Sequence, residues 1–141
     1  MPISVASPAP YAPLNAIGFS QPDLSVSPVS DGKPLPVRIV APTPSAALAG
    51  DTASTIQVGP FTPAAGLPIM LTLAGTWSGT VRVLRSNNGG ATRFPLTAAG
   101  LAWGQYTANC CEPVWEESVS GSTLYLDITL ASGTVTYRME Q

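Results

Sequence analysis

The residues in this chain that could do acid–base chemistry are few, and most lie close together. Glu112, Glu116 and Glu117 follow two adjacent cysteines, and Asp127 lies a short distance beyond them. If 114–119 is a strand, Glu116 and Glu117 point to opposite faces, whereas Glu112 and Glu116 could share one face with Asp127. Carboxyl groups that face one cleft would suit glycoside hydrolysis. The simpler interpretation is that these are solvated acids on a strand and its approach loop.

Other catalytic and metal-binding chemistries find little support. The chain has no histidine, so it offers no Ser–His or Cys–His pair for nucleophilic catalysis. The acids lack the spacing of a calcium loop, and two adjacent cysteines supply too few ligands for a zinc site. The sequence therefore predicts a protein that is not an enzyme and that uses no metal and no cofactor.

The two cysteines, Cys110 and Cys111, leave three interpretations open. Both can be reduced thiols, one buried and one exposed. One or both can form a disulfide with a neighbouring subunit. A vicinal disulfide between them is the third, and it is disfavoured because the small ring strains the peptide.

Four aromatic residues are candidates for contact with a carbohydrate. Trp77 is predicted in a turn and Trp103 stands beside a glycine, so both are candidate exposed residues for glycan contact, with Tyr106 and Trp115 as further members of such a surface. Tryptophan is also favoured in sandwich cores and at protein interfaces, and this second interpretation is preferred.

The segment Ser86-Asn-Asn-Gly-Gly-Ala-Thr92 is similar to the Asp-box hairpin, whose pattern is Ser-x-Asp-x-Gly-x-Thr-Trp. Ser86, Gly90 and Thr92 match, Asn88 replaces the aspartate, and Arg93 replaces the tryptophan. That motif is a folding device, so we predict a tight hairpin here and no active site.

The elements that must position these residues are predicted to be strands. Apolar and polar residues alternate from Thr55 onward, which is typical of half-buried antiparallel strands. Turn signals occur at Gly75–Gly79, Ser86–Gly90, Ser120–Ser122 and Ala131–Gly133, and Ala46–Ala53 is the best candidate for a turn of helix. The pattern predicts an all-β, antiparallel β-sandwich of six to eight strands over residues 51–141.

Residues 1–50 have a different composition and are predicted to form an extended, proline-rich arm and linker. Ten of the 15 prolines lie there, with four charged residues and two aromatic ones, Tyr11 and Phe19. Such a segment buries too little apolar surface to fold alone. Leu35, Val37 and Ile39 alternate in a piece that could add to a sheet edge. The predicted partner-binding residues are Tyr11, Phe19, Leu35, Val37 and Ile39.

Composition limits the class of partner. Only 10% of the residues are charged, the net charge is −2, and no basic run occurs, so we expect no nucleic acid, which needs clustered Lys and Arg. No secretory signal and no apolar run of about 18 residues is found, so a membrane partner is not expected. A low-charge surface suits a subunit that packs against others, and a homo-oligomer is expected.

The segment Gly79-Thr-Val-Arg-Val-Leu-Arg-Ser-Asn-Asn-Gly-Gly-Ala-Thr92 and the closing Ser132-Gly-Thr-Val-Thr-Tyr-Arg-Met-Glu-Gln141 resemble small β-sandwich structural proteins of tailed bacteriophages. The Pro34-Leu-Pro-Val37 step is similar to that in phage head and tail accessory proteins. The resemblance implies a virion protein, made in the host cytoplasm. The first expectation is a capsid decoration or cement protein whose arm ties major capsid subunits together. The alternative is a neck, tail or fibre β-domain that binds host glycans.

Overall fold

The computed structural model describes residues 18–20, 26–32, 34, 35, 37, 40 and 42–141. The chain divides into two compact units, Met1–Val40 and Ala41–Gln141. The first contains a small antiparallel pair of strands, β1 (Gly18–Ser20) and β2 (Val26–Pro28). Phe19, a predicted partner-binding residue, lies in β1, whereas Tyr11 and Ile39 lie outside the described residues.

The second unit is all-β and antiparallel, and the described part of the chain has no helix, so the predicted fold class is confirmed. Seven of its strands form one sheet, and β7 and β8 form a separate hairpin. The strands are β3 (Leu48–Thr52), β4 (Ile56–Phe61), β5 (Pro68–Ser86), β6 (Phe94–Pro95), β7 (Thr97–Ala98), β8 (Leu101–Ala102), β9 (Gln105–Tyr106), β10 (Cys110–Glu116) and β11 (Thr123–Glu140).

Two long strands organise this sheet. β5 and β11 are 19 and 18 residues long and pair along almost their whole length. β10 and β3 flank one half of the pair, while β4, β6 and β9 flank the other half. Apolar side chains from both halves form one core, which includes Leu71, Val83 and Leu126. The two halves are therefore the two layers of the sandwich, and the long strands pass from one layer to the other.

A β-bulge lets β11 contribute to the core in both layers. Its members of the buried core cluster have even numbers from Leu124 to Ile128 and odd numbers from Val135 to Met139. The pairing with β5 shifts between Leu130 and Ser132, so Ala131 is one extra residue. Because side chains alternate along a strand, the one extra residue switches the core-facing side from even-numbered to odd-numbered residues. The apolar residues of both segments therefore face the core.

Three local predictions are wrong. Two lie where β5 and β11 bend between the two layers, and one lies at the start of the domain. Gly75–Gly79 and Ala131–Gly133 are bends inside β5 and β11, not hairpin turns. Ala46–Ala53 is not helical, because 48–52 is the edge strand β3, paired with β11. The predicted boundary at 50/51 thus falls inside a strand, and the compact unit begins at Ala41.

Candidate functional site

One end of the sandwich holds a largely buried charged pair. Arg85, near the end of β5, donates from Nε to Oε2 of Glu117 over 2.7 Å and from Nη2 to Oε1 over 2.8 Å. The Arg85 side chain is 22% exposed and that of Glu117 only 2%. This bidentate geometry is the strongest form of a guanidinium–carboxylate pair.

Neighbouring groups complete the network. Nη2 of Arg85 also donates to Oγ of Ser122 (3.1 Å), which in turn donates to Oδ1 of Asn87 (3.1 Å). The backbone N–H of Val119 donates to Oε1 of Glu117 over 2.8 Å. The hydrogen bonds from Arg85 hold the pKa of Glu117 below its usual range, against the opposing effect of burial. Glu117 is therefore ionised at neutral pH, and the expectation that it is a solvated acid is wrong.

Beside this pair lies a cleft of about 290 Å³, which we call the end cleft; its lining includes Arg85, Asn87, Thr92, Phe94, Leu96 and Trp115. Phe94 stands directly opposite Arg85 in the β5–β6 pairing, and opposite residues share one face of a sheet. Trp115 comes from β10 in the other layer and is half-buried against the core. The cleft therefore opens where the two layers separate.

The Asp-box-like hairpin forms one wall of the end cleft. Oγ of Ser86 accepts the backbone N–H of Gly90 over 2.9 Å, and Oδ1 of Asn88 accepts that of Thr92 over 2.9 Å. Nδ2 of Asn88 donates to Oγ1 of Thr92 over 2.8 Å. The tight hairpin is confirmed, and Asn88 occupies the position of the motif's aspartate as an acceptor.

The four aromatic residues proposed for glycan contact do not form one surface. Trp103 and Tyr106 line a second cleft of about 170 Å³, with Gln105 and Glu112. Trp77 is half-buried against the core, donates from Nε1 to Oδ1 of Asn109, and lines neither the end cleft nor the second cleft. Trp103 is 48% exposed and donates from Nε1 to the carbonyl of Val114. Trp115 lines the end cleft instead.

The candidate acids are likewise dispersed. Glu112 pairs with Leu71 in one half of β5, whereas Asp127 pairs with Arg82 in the other half. A register shift between Pro113 and Trp115 separates Glu112 from Glu116. Among the described residues, no group of three or more His, Cys, Asp or Glu side chains is arranged to hold a metal ion, and no helix is long and apolar enough to cross a membrane.

The two cysteines have different surroundings. Cys110 is half-buried against the core, and Cys111 is exposed, where its Sγ accepts a hydrogen bond from Oγ1 of Thr72 over 3.4 Å. Neither sulfur is bonded to the other. Burial raises the pKa of the Cys110 thiol, and the nearby Glu112 carboxylate raises it further.

We expect Cys111 to be alkylated by iodoacetamide at least tenfold faster than Cys110, because the thiolate is the reactive form and Cys110 is both shielded and harder to ionise. Peptide mass spectrometry of native protein over a time course measures both rates. Equal rates would contradict the assignment. The same difference makes Cys111 the candidate for an inter-subunit disulfide. On a non-reducing gel of assembled particles, a band of two cross-linked subunits should be lost in Cys111→Ser and kept in Cys110→Ser.

Sequence reasoning missed Arg85 and Phe94, and it named Glu117 as a candidate acid without pairing it with Arg85. One signal for Arg85 was present, because it continues the odd-numbered series of Val81 and Val83 that faces the core. A charged residue at a core-facing position near a strand end indicates a buried partner. Nothing in the sequence marked Glu117 as that partner, since it lies 32 residues away.

No protein-family model matches this chain, and no curated protein and no solved structure is significantly similar to it. The site must therefore be interpreted from its own geometry.

Proposed function

We propose that this chain is a structural subunit of a tailed-bacteriophage particle, a capsid decoration or linking protein whose N-terminal segment binds neighbouring capsid subunits. The observation that carries the proposal is the exposure of apolar residues in that segment. Leu35 is 47% exposed, Val37 74% and Val40 76%. Apolar side chains presented together by a proline-containing segment are suited to a protein partner.

The β-domain does not need these residues for its own core. Every buried member of that core among the described residues lies between Phe61 and Met139. Leu35, Val37 and Val40 are therefore available to a partner. In a particle the N-terminal segment would stabilise the capsid shell by mass action, because a subunit that binds only the assembled shell shifts the equilibrium towards that shell.

The surface of the β-domain adds support for a packed subunit. Leu101 is 74% exposed on the β7–β8 hairpin, and Trp103 follows it at 48%. The whole chain has 14 charged residues among 141, six basic and eight acidic. Exposed apolar residues on a surface with little charge are typical of proteins that contact other subunits.

We expect Leu35→Ser combined with Val37→Ser to weaken binding to assembled capsids at least tenfold, because each buried apolar side chain contributes roughly 1.5–3 kcal/mol. Co-sedimentation with capsids of the phage that encodes the chain measures this. Val119→Ser is the control, since it removes an apolar side chain of similar exposure, 49%, from the β-domain. Undiminished co-sedimentation of the double variant would refute a binding role for the segment.

The alternative, a β-domain that binds host glycans, is favoured by a different observation. Trp77 and Trp103 do not share a cleft, but the end cleft combines aromatic rings with amide, hydroxyl and guanidinium groups. Such a combination is typical of carbohydrate sites, in which apolar contact and a few placed polar groups act together.

A further inference from the structure

We propose that the end cleft is a binding site for one neutral hexopyranose unit of a glycan. This inference rests on the cleft alone and holds whether or not the chain joins a particle. Of the four aromatic residues that the sequence offered for glycan contact, the proposed site uses Trp115 and none of Trp77, Trp103 and Tyr106.

The size and place of the cleft suit a single sugar ring. Its volume of about 290 Å³ is close to the lower limit of ligand pockets, which span about 300–1,000 Å³. It lies at the open end of a sandwich, between Phe94 of one layer and Trp115 of the other. Both layers are tied together there by the ion pair of Arg85 and Glu117, so the cleft is preformed.

The polar lining offers hydrogen-bond donors for which the described residues supply no acceptor. Three of the five N–H groups of Arg85 are bound to Glu117 and Ser122, and the two on Nη1 form no hydrogen bond with another described residue. Asn87 accepts from Ser122 through Oδ1, and its Nδ2 likewise has no partner among the described residues. Sugar hydroxyl and ring oxygens are acceptors for such groups.

The charge of the lining favours a neutral ligand over an anion. Among the described residues, Arg85 is the only charged residue that lines the cleft, and the Glu117 carboxylate neutralises it at 2.7–2.8 Å. An anionic ligand would have to compete with that carboxylate for the same guanidinium. A neutral polyol accepts from Nη1 without disturbing the pair.

The aromatic lining supplies the apolar contact. Phe94 is 67% exposed although it is a large apolar residue, so its ring is available to a ligand. The apolar C–H face of a hexopyranose stacks on such a ring. A proline-rich peptide also binds aromatic side chains, but a short cleft with several polar groups fits one sugar ring better than an extended chain.

The test uses the indole N–H signals of the full-length ¹⁵N-labelled protein. Trp115 lines the end cleft, Trp103 lines the second cleft and Trp77 lines neither. The probes are the methyl glycosides of glucose, galactose, mannose and N-acetylglucosamine, titrated separately. We expect at least one to shift the Trp115 signal saturably with a dissociation constant of about 1–10 mM, while the Trp77 signal stays fixed.

Two matched variants connect the shift to the cleft. Phe94→Ser should raise the dissociation constant at least fivefold, whereas Leu101→Ser should leave it unchanged. Both residues are exposed and apolar, and only Phe94 lines the end cleft. Neither change removes a core side chain, so both proteins should remain folded.

Four results would overturn the proposal. The Trp115 signal could stay fixed with every neutral glycoside. The Trp103 signal alone could shift, which would place the sugar in the second cleft. Only an anionic sugar such as N-acetylneuraminic acid could bind. A peptide of residues 1–40 could shift Trp115 when no glycoside does, which would assign the cleft to a peptide.

Discussion

Replacing Glu117 with glutamine is expected to lower the free energy of unfolding by about 3 kcal/mol, because the Arg85 guanidinium then remains largely buried without a countercharge. The side chain keeps its shape, so the loss reports charge and hydrogen bonding rather than volume. Urea denaturation at pH 7 measures the difference. A change below about 0.5 kcal/mol would mean that the pair contributes no more than an exposed one.

The pH dependence gives a second measure of the same pair. The pKa of Glu117 is lower in the folded state than in the unfolded chain, so the unfolded state binds the proton more readily. The contribution of the pair to stability is therefore fully present above the pKa of Glu117 in the unfolded chain, about 4.3. It is lost as the pH falls from there through the lower pKa of the folded state. The wild type should lose more stability than Glu117→Gln over this range.

A double variant distinguishes the interaction between the two side chains from the cost of burying one unpaired charge. Arg85→Met combined with Glu117→Met should destabilise the protein by less than the sum of the single changes, because it leaves no unpaired charge. Additive effects would show that the two side chains act independently, contrary to their bidentate contact.

Replacing Gly133 with alanine is expected to cost about 3 kcal/mol or more. Gly133 has φ of 85°, and an added Cβ would lie 2.1 Å from the carbonyl oxygen of Thr76. That oxygen belongs to the backbone of β5, so the contact can be relieved only by separating the two long strands at the bend. Thermal or urea unfolding of the purified variant measures the loss.

Gly121→Ala is the matched control for this change. Gly121 has almost the same φ, 82°, but nothing lies within 4 Å of an added Cβ. It should cost about 1 kcal/mol from backbone strain alone. Equal losses in the two variants would show that the close approach of β5 and β11 at the bend is unimportant.

The sequence by itself determined the fold class and the alternating segments of β4, β5 and β11. Alternation in Leu124–Ile128 and Val135–Met139 is local information, because side chains on a strand alternate whatever it pairs with. The Ser86–Thr92 hairpin was likewise predictable, since its hydrogen bonds join residues two to four positions apart. These features depend on contacts between near neighbours in the chain.

The tertiary structure alone decided that β5 and β11 each continue through a glycine-containing bend, and where the clefts lie. Gly79 and Gly133 look like turn residues in the sequence, yet they permit a close approach between β5 and β11 at a bend. The ion pair of Arg85 with Glu117, and the end cleft that Phe94 and Trp115 both line, bring together residues that are far apart in the chain. Such contacts depend on the register of the whole sheet, which a bulge of one residue changes.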